Sequence, residues 1–400
     1  MQMNKYDKII LKVFLSTLFC FIVVIGLCQS YKQLHKNAIV VDGHNSILYA
    51  VEDSSWKFDS DLSGKTQSDL QRMKKGGIDI QLFALSFNSR FPSAFADGNR
   101  QIDTLYSWVS RNPDKMMFVQ TTKQLFQSVK QHKLGVIIDP EGGYVIENDL
   151  GKLDDLYKRG VRCMTLVNES SMPWITSARD EMNDTVLHQP KGLSDFGKQV
   201  VRRMNELGML VDISHAGEQT FRDVINTTTK PIIASHSCVY NLCPVYFNLK
   251  DEQIKAIAKN GGMVMISFWP GMLDSSWKIK DRAFYQQHKK EIDSVSQSNP
   301  AGIDQYLNSK YKNELMEIDR IPLNILINHI DYIIKLVGTD YVGLGSSFDG
   351  MEALWQGLNG NGVLDYPHIT EALLQRGYSK NDIEKFLGGN FIRVFKANMQ

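Results

Sequence analysis

The segment Leu207–Asn248 has the sequence LGMLVDISHAGEQTFRDVINTTTKPIIASHSCVYNLCPVYFN. It contains two short apolar runs, Met209–Ile213 and Pro231–Ala234, and a Ser-His pair follows each run. Short apolar runs bounded by turn residues are typical of buried parallel strands. The polar segment between them, EQTFRDVIN at 218–226, has the length and composition of a crossover helix. The segment therefore predicts a β-α-β unit.

The two Ser-His pairs place a histidine at the end of each predicted strand. His215 and His236 are 21 residues apart in sequence, which fits one strand-helix repeat. In such units functional groups lie at the carboxyl ends of the strands, so the two imidazoles are expected at one rim. Two imidazoles at neighbouring strand ends can bind one metal ion. A single histidine there would more often be structural, but the repetition favours a metal site.

The length and composition are those of a globular protein with a large hydrophobic core. It has 400 residues, 43% of them hydrophobic, and 45 basic against 44 acidic side chains give a formal charge of +1. This balance argues against a nucleic-acid-binding surface. Beyond residue 28 only Cys163, Cys238 and Cys243 remain, which is no disulfide framework. Cys238 and Cys243 could pair, although free buried thiols are favoured.

The N-terminal segment has the pattern of a targeting sequence. Lys5, Lys8 and Lys12 precede the apolar run VFLSTLFCFIVVIGLC at 13–28. Such a pattern predicts a secretory signal peptide, a lipid-modified Cys28 or an uncleaved membrane anchor over residues 1–28. Each alternative predicts export, with the folded part periplasmic, extracellular or membrane-anchored and facing outward.

The remainder of the chain alternates predicted strands with predicted helices. Such alternation implies a parallel sheet, and about eight units imply a closed (β/α)8 TIM-type barrel of the α/β class over 38–400. The charged segment around 271–320 exceeds a minimal repeat, so we expect a helical insertion over the strand ends. The predicted strands are Ala38–Asp42, Gly77–Ala84, Leu134–Ile138, Val161–Leu166, Met209–Ile213, Pro231–Ala234, Gly262–Ser267 and Tyr341–Gly345.

Four side chains that follow predicted strands are candidate metal ligands: His44, Glu141, His215 and His236. Imidazole and carboxylate groups at one barrel rim form an ordinary zinc site, and a shared carboxylate can bridge two ions. Glu141 by itself could equally be a polar loop residue. The combined pattern is what predicts a site.

Eight motifs occur along the chain in the following order: DGHN at 42–45, EGG at 141–143, GVRCMTL at 160–166, GLSDFG at 192–197, MNELGMLVDISH at 204–215, SHS at 235–237, LVGTDYVGLGSSFDG at 336–350 and GGNFIRVF at 388–395. Together these motifs resemble the membrane (renal-type) dipeptidase family. The resemblance implies a (β/α)8 barrel with two zinc ions and an enzyme that hydrolyses dipeptides and some related amides outside the cytoplasm.

The resemblance also assigns roles to the four candidate ligands. It implies that His44 binds a first zinc ion, that Glu141 bridges, and that His215 and His236 bind the second ion. The family's aspartate two residues after the first histidine is replaced by Ser46. With that carboxylate absent, we expect one zinc ion or fewer per chain.

Other departures fall on substrate contacts of the family. Asn168 replaces a histidine, Phe247 an arginine and Ser347 an aspartate, whereas Asp349 is kept. These four residues are the expected lining of the substrate pocket, and no catalytic residue is assigned. Loss of the arginine removes a bidentate contact to a substrate carboxylate.

Three functional hypotheses follow. The resemblance implies a zinc metallodipeptidase in which a metal-activated water attacks the peptide bond of a dipeptide or small amide. The first alternative is a catalytically degenerate member that acts as a binding protein. The second is a hydrolase for a less charged amide. Membrane anchoring by the N-terminus and a homodimer are compatible with all three.

Overall fold

The computed structural model describes residues 31–52, 56–86, 93–183, 189–298, 303–350 and 361–399. The predicted signal or anchor at 1–28 lies outside this range. No helix among the described residues combines the length and the apolar character needed to cross a bilayer.

Nine parallel strands form one sheet, in the spatial order β3-β4-β2-β1-β9-β8-β7-β6-β5. All eight predicted strands are present within a few residues of their expected bounds, which confirms the α/β assignment. The strands are β1 Val41–Asn45, β2 Ile80–Leu85, β3 Met116–Phe118, β4 Leu134–Pro140, β5 Cys163–Thr165, β6 Leu210–Asp212, β7 Ile233–Ser237, β8 Met263–Ile266 and β9 Val342–Leu344.

Strand β4 links the two ends of the sheet, because its beginning and its end pair with different neighbours. The first half pairs with β3, from Met116 opposite Leu134 onward. Beyond it, isolated bridges join Ile138 to Val161 and Glu141 to Thr165, so the end of β4 reaches the β5 region. The eight strands other than β3 therefore form the ring of a (β/α)8 barrel. The strand β3 was not predicted, because three residues are too short for a clear pattern.

Helices cover the outside of the ring. The helices are α1 at 31–37, α2 Ile47–Glu52, α3 Leu70–Lys75, α4 Ala94–Arg111, α5 Thr122–Lys130, α6 Leu150–Lys158, α7 Ala178–Glu181, α8 Asp195–Leu207, α9 Glu218–Thr227, α10 Asp251–Lys259, α11 Pro270–Leu273, α12 Trp277–Gln287, α13 Lys289–Ser298, α14 Ile303–Lys310, α15 Lys312–Asp319, α16 Leu323–Val337, α17 Tyr366–Gln375, α18 Lys380–Glu384 and α19 Asn390–Asn398. The segment 270–319, expected as an insertion, consists of the short helices α11 to α15. The predicted division into domains stays a prediction.

Two apolar layers hold the barrel together. One lies between strands and helices, and the other fills the ring with inward-facing side chains such as Ile80, Leu82 and Met265. The last helix, α19, contributes the fully buried Phe391 and Phe395 to this inner layer. Truncation of a large buried aromatic side chain costs roughly 3–5 kcal/mol, so we expect α19 to contribute substantially to the stability of the barrel.

The cysteines of the described residues are free and buried. Cys163 lies in β5, Cys238 directly follows β7, and Cys243 lies in the next loop. Burial raises the pKa of Cys163 and of Cys238 well above the ordinary thiol value, and raises the pKa of Cys243 to about 11. Because both thiols are free in this structure, the alternative of a Cys238–Cys243 disulfide is wrong.

Candidate metal centre

The four side chains expected as ligands meet at the carboxyl end of the barrel. One carboxylate oxygen of Glu141, Oε1, lies 3.4 Å from Nε2 of His215 and 3.6 Å from Nε2 of His236. The other oxygen, Oε2, lies 3.7 Å from Nε2 of His44. The Nε2 atoms of His215 and His236 are 2.8 Å apart. All four side chains are buried or nearly so.

These separations fit metal coordination. Two ligand atoms that each lie about 2.1 Å from a tetrahedral zinc ion are themselves about 3.4 Å apart. In His44, Glu141 and His236, one ligand atom from each side chain lies within 4.8 Å of the others. The described residues thus include a group that can hold a metal ion, and Glu141 presents one oxygen to each side, as a bridging carboxylate does.

The centre has two unequal halves. We call Glu141 Oε1 with His215 and His236 the β6–β7 half, because its histidines come from the ends of those strands. We call Glu141 Oε2 with His44 and Ser46 the β1 half. The β6–β7 half has three donor side chains, whereas the β1 half has two and a serine hydroxyl 3.3 Å from Nε2 of His44.

Backbone geometry places the ligands. His44 and His236 lie within β1 and β7, and Glu141 directly follows β4. His215 lies three residues beyond β6 and has φ 64°, a left-handed conformation that costs a non-glycine residue roughly 1–2 kcal/mol. Its carbonyl accepts a hydrogen bond from the amide of Ala178 (2.8 Å), which helps to hold this turn.

A buried hydrogen-bond relay orients His236. The hydroxyl of Ser235 donates to Oδ2 of Asp212 (2.6 Å) and lies 2.7 Å from Nδ1 of His236. A carboxylate only accepts, so the Ser235 oxygen must accept from Nδ1–H of His236. That tautomer leaves the lone pair of Nε2 free to bind a metal ion. Asp212 also accepts from the hydroxyl of Ser214 (2.9 Å).

No such relay supports His44. Its Nδ1 atom, like that of His215, is buried and has no hydrogen-bond partner among the described residues. Asp42, one possible substitute for the absent carboxylate, is fully buried and accepts from the amide and hydroxyl of Ser346 at 2.8 and 2.7 Å. It therefore supports the backbone beneath the cavity and does not line it.

Burial and neighbouring charges lower the pKa of two of the three imidazoles and raise that of the third. Burial, with the neighbouring His236, lowers the pKa of His44 to about 3. Burial, with His215, lowers the pKa of His236 well below its ordinary value. Burial acts in the same sense on His215, but its hydrogen bond to Glu141 and the charge of Glu141 outweigh burial and raise its pKa. His44 and His236 are thus neutral, and a neutral imidazole is the form that ligates metal.

A cavity of about 280 Å³ opens above the centre. The expected pocket residues Asn168, Phe247 and Ser347 all line it. The ring of Phe247 stands edge-on to that of His215, with centroids 5.1 Å apart, and lies 5.6 Å from the ring of Trp269. The hydroxyl of Ser347 lies 3.1 Å from that of Ser267.

Asp349, also expected in the pocket, is not among the residues that line the cavity. Its carboxylate accepts hydrogen bonds from the amide of Gln67 (2.5 Å), from the hydroxyl of Ser68 and from the side-chain amide of Asn45. The carboxylate therefore fastens the loop after β9 to the segment before α3. Its partners are protein groups, so it has a structural environment.

Sequence reasoning missed two carboxylates of the centre. Glu169 lines the cavity, and its Oε1 lies 3.7 Å from Nδ1 of His215. Asp212 is the base of the relay to His236. The available signal for Asp212 was a charged residue inside the apolar run MLVDI, and for Glu169 its position directly after Asn168.

A larger cavity of about 620 Å³ adjoins the first. The two share His215, Phe247 and Trp269, and the larger one is also lined by Tyr240 and Tyr246. The aromatic side chains of Phe247 and Trp269 therefore stand between the metal centre and a roomy space. Its lining mixes apolar side chains with charged ones, among them Lys191, Arg222, Lys250 and Lys278.

Comparison with known proteins identifies the family of the chain. The sequence model of the family described as membrane dipeptidase (Peptidase family M19) matches residues 28–400. Dipeptidase 3 from Mus musculus is 27% identical over 363 residues, which are 89% of this chain and 64% of that protein. The chain thus spans less than two thirds of the length of this relative.

Solved structures share the fold. A probable dipeptidase, PvdM, from Pseudomonas aeruginosa aligns with TM-score 0.75 and 23% identity, over 93% of this chain and 98% of that chain. A metallo peptidase from Rhodobacter sphaeroides, liganded with a phosphinate mimic of the dipeptide L-Ala-D-Ala, aligns with TM-score 0.72 and 20% identity, over 90% and 100% of the two chains.

Proposed function

This chain belongs to the membrane dipeptidase family, and from that premise we propose that it is a zinc-dependent hydrolase of small amides. We propose further that one zinc ion is held by Glu141, His215 and His236, and that amides with fewer charged ends than a free dipeptide are the preferred substrates. The observation that carries the proposal is the convergence of these three donor side chains beneath a cavity with no lysine or arginine among its described lining residues.

The donor set fits zinc. Two imidazoles and one carboxylate are the ligands of many catalytic zinc sites, which keep one coordination position open. A bound ion would supply Lewis acidity and an activated water for amide hydrolysis. His236 is fixed in the ligating tautomer by Ser235, which holds its imidazole in place. Oε1 of Glu169 lies 3.7 Å from Nδ1 of His215, which is beyond hydrogen-bond distance.

The cavity walls favour an uncharged substrate. Its described lining includes two carboxylates, Glu141 and Glu169, but no lysine or arginine. The guanidinium of Arg179 lies behind Glu169, 3.4 Å from its Oε2, and also donates to Ser170 (2.8 Å). A free dipeptide would therefore have to desolvate its carboxylate beside Phe247 without a charged partner.

The size of this penalty can be estimated. A hydrogen bond to a charged group contributes roughly 1.5–3 kcal/mol. Loss of one such contact at Phe247 and another at Ser347 gives a deficit of about 3–6 kcal/mol if the two are additive. This corresponds to roughly two to four powers of ten in kcat/KM for unblocked dipeptides.

The aromatic side chains of Phe247 and Trp269, which line both cavities, also support the preference. A C-amidated or N-acylated substrate can place an apolar group against Phe247 and Trp269 at no cost in charge. Burial of apolar surface contributes about 25 cal/mol per Å². A hydrolase for a less charged amide is therefore favoured here over a dipeptidase of the ordinary kind.

The test is a substrate panel on zinc-loaded protein. Unblocked dipeptides are compared with their N-acylated and C-amidated analogues, and Glu141→Gln serves as the inactive control. We expect blocked amides to be cleaved and unblocked dipeptides to be cleaved weakly. Unblocked dipeptides that turn over at ordinary enzyme rates, with blocked analogues inert, would refute the preference. Cleavage of neither class, with zinc bound, would favour the binding-protein alternative.

Export is a separate proposal, which rests on the sequence of residues 1–28. We propose that the folded part functions outside the cytoplasm, after cleavage near Cys28 or with the apolar run retained as an anchor. N-terminal sequencing of the mature protein tests it. A soluble cytoplasmic species that still begins at Met1 would contradict export.

A further inference from the structure

The end of the barrel opposite the metal centre carries a concentrated positive charge. A concavity of about 1060 Å³ lies there, beside the residues that precede β2, β3 and β4. Six lysines line it: Lys32, Lys36, Lys74, Lys75, Lys115 and Lys133. We call this surface the basic concavity. Its only carboxylate among the described lining residues is that of Asp79.

The charge is not balanced within the protein. None of the six lysines forms a salt bridge with any described residue. The carboxylate of Asp79 accepts a hydrogen bond from the backbone amide of Val40 (2.9 Å). The whole chain has a formal charge of only +1, so six lysines on one surface without a salt bridge to any described residue are a local excess. Such an excess repels itself unless an external anion neutralises it.

The position of the concavity identifies the anion. Helix α1 contributes Lys32 and Lys36, and two residues separate it from the apolar run at 13–28. Those residues span at most about 10 Å when extended. If the apolar run enters a bilayer, α1 and the basic concavity lie within reach of the headgroups. The metal centre, at the other end of the barrel, then faces away from the membrane.

We infer that the basic concavity is a docking surface for the phosphate groups of anionic phospholipids. Lysines close to an anionic membrane surface are attracted by its negative potential, and each strengthens the attraction by roughly fivefold. The surface would hold the barrel upright on the bilayer, with the cavity above the metal centre open to the surrounding solution. This inference rests on the proposal that the apolar run at 13–28 is retained as a membrane anchor, and it is independent of the proposed hydrolase activity.

The test measures lysine reactivity in the membrane-inserted full chain. The protein is placed in bilayer discs of phosphatidylcholine alone, or of phosphatidylcholine with about one third phosphatidylglycerol. Acetylation rates are then mapped by mass spectrometry. In the anionic discs we expect the six lysines to react about fivefold more slowly, an effect that high salt removes. Lys198 and Lys289, on other surfaces, should react equally in both discs.

Variants and an ion control separate the alternatives. In Lys74→Gln/Lys115→Gln/Lys133→Gln, protection of the remaining lysines should fall to its value in neutral discs. The matched variant Lys158→Gln/Lys198→Gln/Lys289→Gln should keep it, and circular dichroism checks that both fold. Equal reactivity in the two discs would overturn the inference. Equal protection by inorganic phosphate in neutral discs would also overturn it, because that result indicates a site for the free ion.

Discussion

The two halves of the metal centre share Glu141 but differ in what supports them. In the β6–β7 half, His215 and His236 face one carboxylate oxygen, and Ser235 with Asp212 fixes the tautomer of His236. In the β1 half, His44 faces the other oxygen, its Nδ1 has no hydrogen-bond partner among the described residues, and a hydroxyl occupies the place of a carboxylate.

The difference teaches that ligand number and ligand support change together. A histidine whose second nitrogen is hydrogen-bonded is a better defined ligand than one that is free to choose its tautomer. The β6–β7 half has both three donors and a relay, whereas the β1 half has neither. We therefore expect the two halves to differ in zinc affinity by far more than one ligand would suggest.

The largest expected effect is that of removing a ligand from the better half. Loss of an outer-shell partner costs a metal site about 10- to 100-fold in affinity, so loss of a ligand should cost more than about 100-fold. We expect His236→Asn to lose zinc to this extent and His44→Asn to change the affinity of the first ion by less than about tenfold. Chelator competition measures the zinc affinity of each variant. Equal losses of affinity would contradict the inequality of the two halves.

The relay should have the next largest effect. Ser235→Ala removes the group that accepts from Nδ1–H of His236, and we expect zinc affinity to fall by about 10- to 100-fold. The control is Ser237→Ala on the same strand, because the hydroxyl of Ser237 is buried without a hydrogen-bond partner in the described part of the chain. If Ser237→Ala weakens zinc binding equally, the relay has no special role.

A carboxylate added to the β1 half should reduce the difference in zinc affinity between the two halves. Ser46→Asp adds a charged donor beside Nε2 of His44, and we expect a second zinc ion to bind, with a gain of about tenfold or more at this half. Ser46→Asn is of similar size but uncharged, and should not produce it. Elemental analysis of both variants decides, and an unchanged zinc content in Ser46→Asp contradicts the expectation.

The smallest expected effect concerns substrate. Phe247→Arg places a cation beside the β6–β7 half, and we expect kcat/KM for unblocked dipeptides to rise by about tenfold relative to C-amidated analogues. The gain lies at the lower end for a charged contact because the packing of Phe247 on His215 and Trp269 is lost. Phe247→Leu, which loses the same packing without adding charge, is the control.

Much of the fold could be predicted from the sequence. Eight strands were found because each is an apolar run between turn residues, and the repeat of strands and helices implied a barrel. The missed strand β3 has three residues, of which Met117 and Phe118 are only half-buried, so no pattern distinguishes it. Its pairing with the first half of β4 depends on tertiary contacts.

The site was predictable where a residue lies at or just beyond the carboxyl end of a strand, as His44, Glu141, His215 and His236 do. It was not predictable where the backbone turns. Ser347 and Asp349 have left-handed φ values of 59° and 62°. Their side chains therefore diverge, with Ser347 in the cavity and Asp349 behind it. Spacing in the sequence contains no information on that turn.

The three buried thiols allow local opening of the barrel to be measured. Cys163 in β5, Cys238 after β7 and Cys243 in the following loop are each fully covered, and their sulfur atoms cannot meet a reagent until the surrounding backbone opens. Their rates of modification therefore report local opening at three places on the ring. Cys238 is two residues from His236. Its rate of modification, compared with and without a bound metal ion, therefore measures how much the ion suppresses local opening at β7.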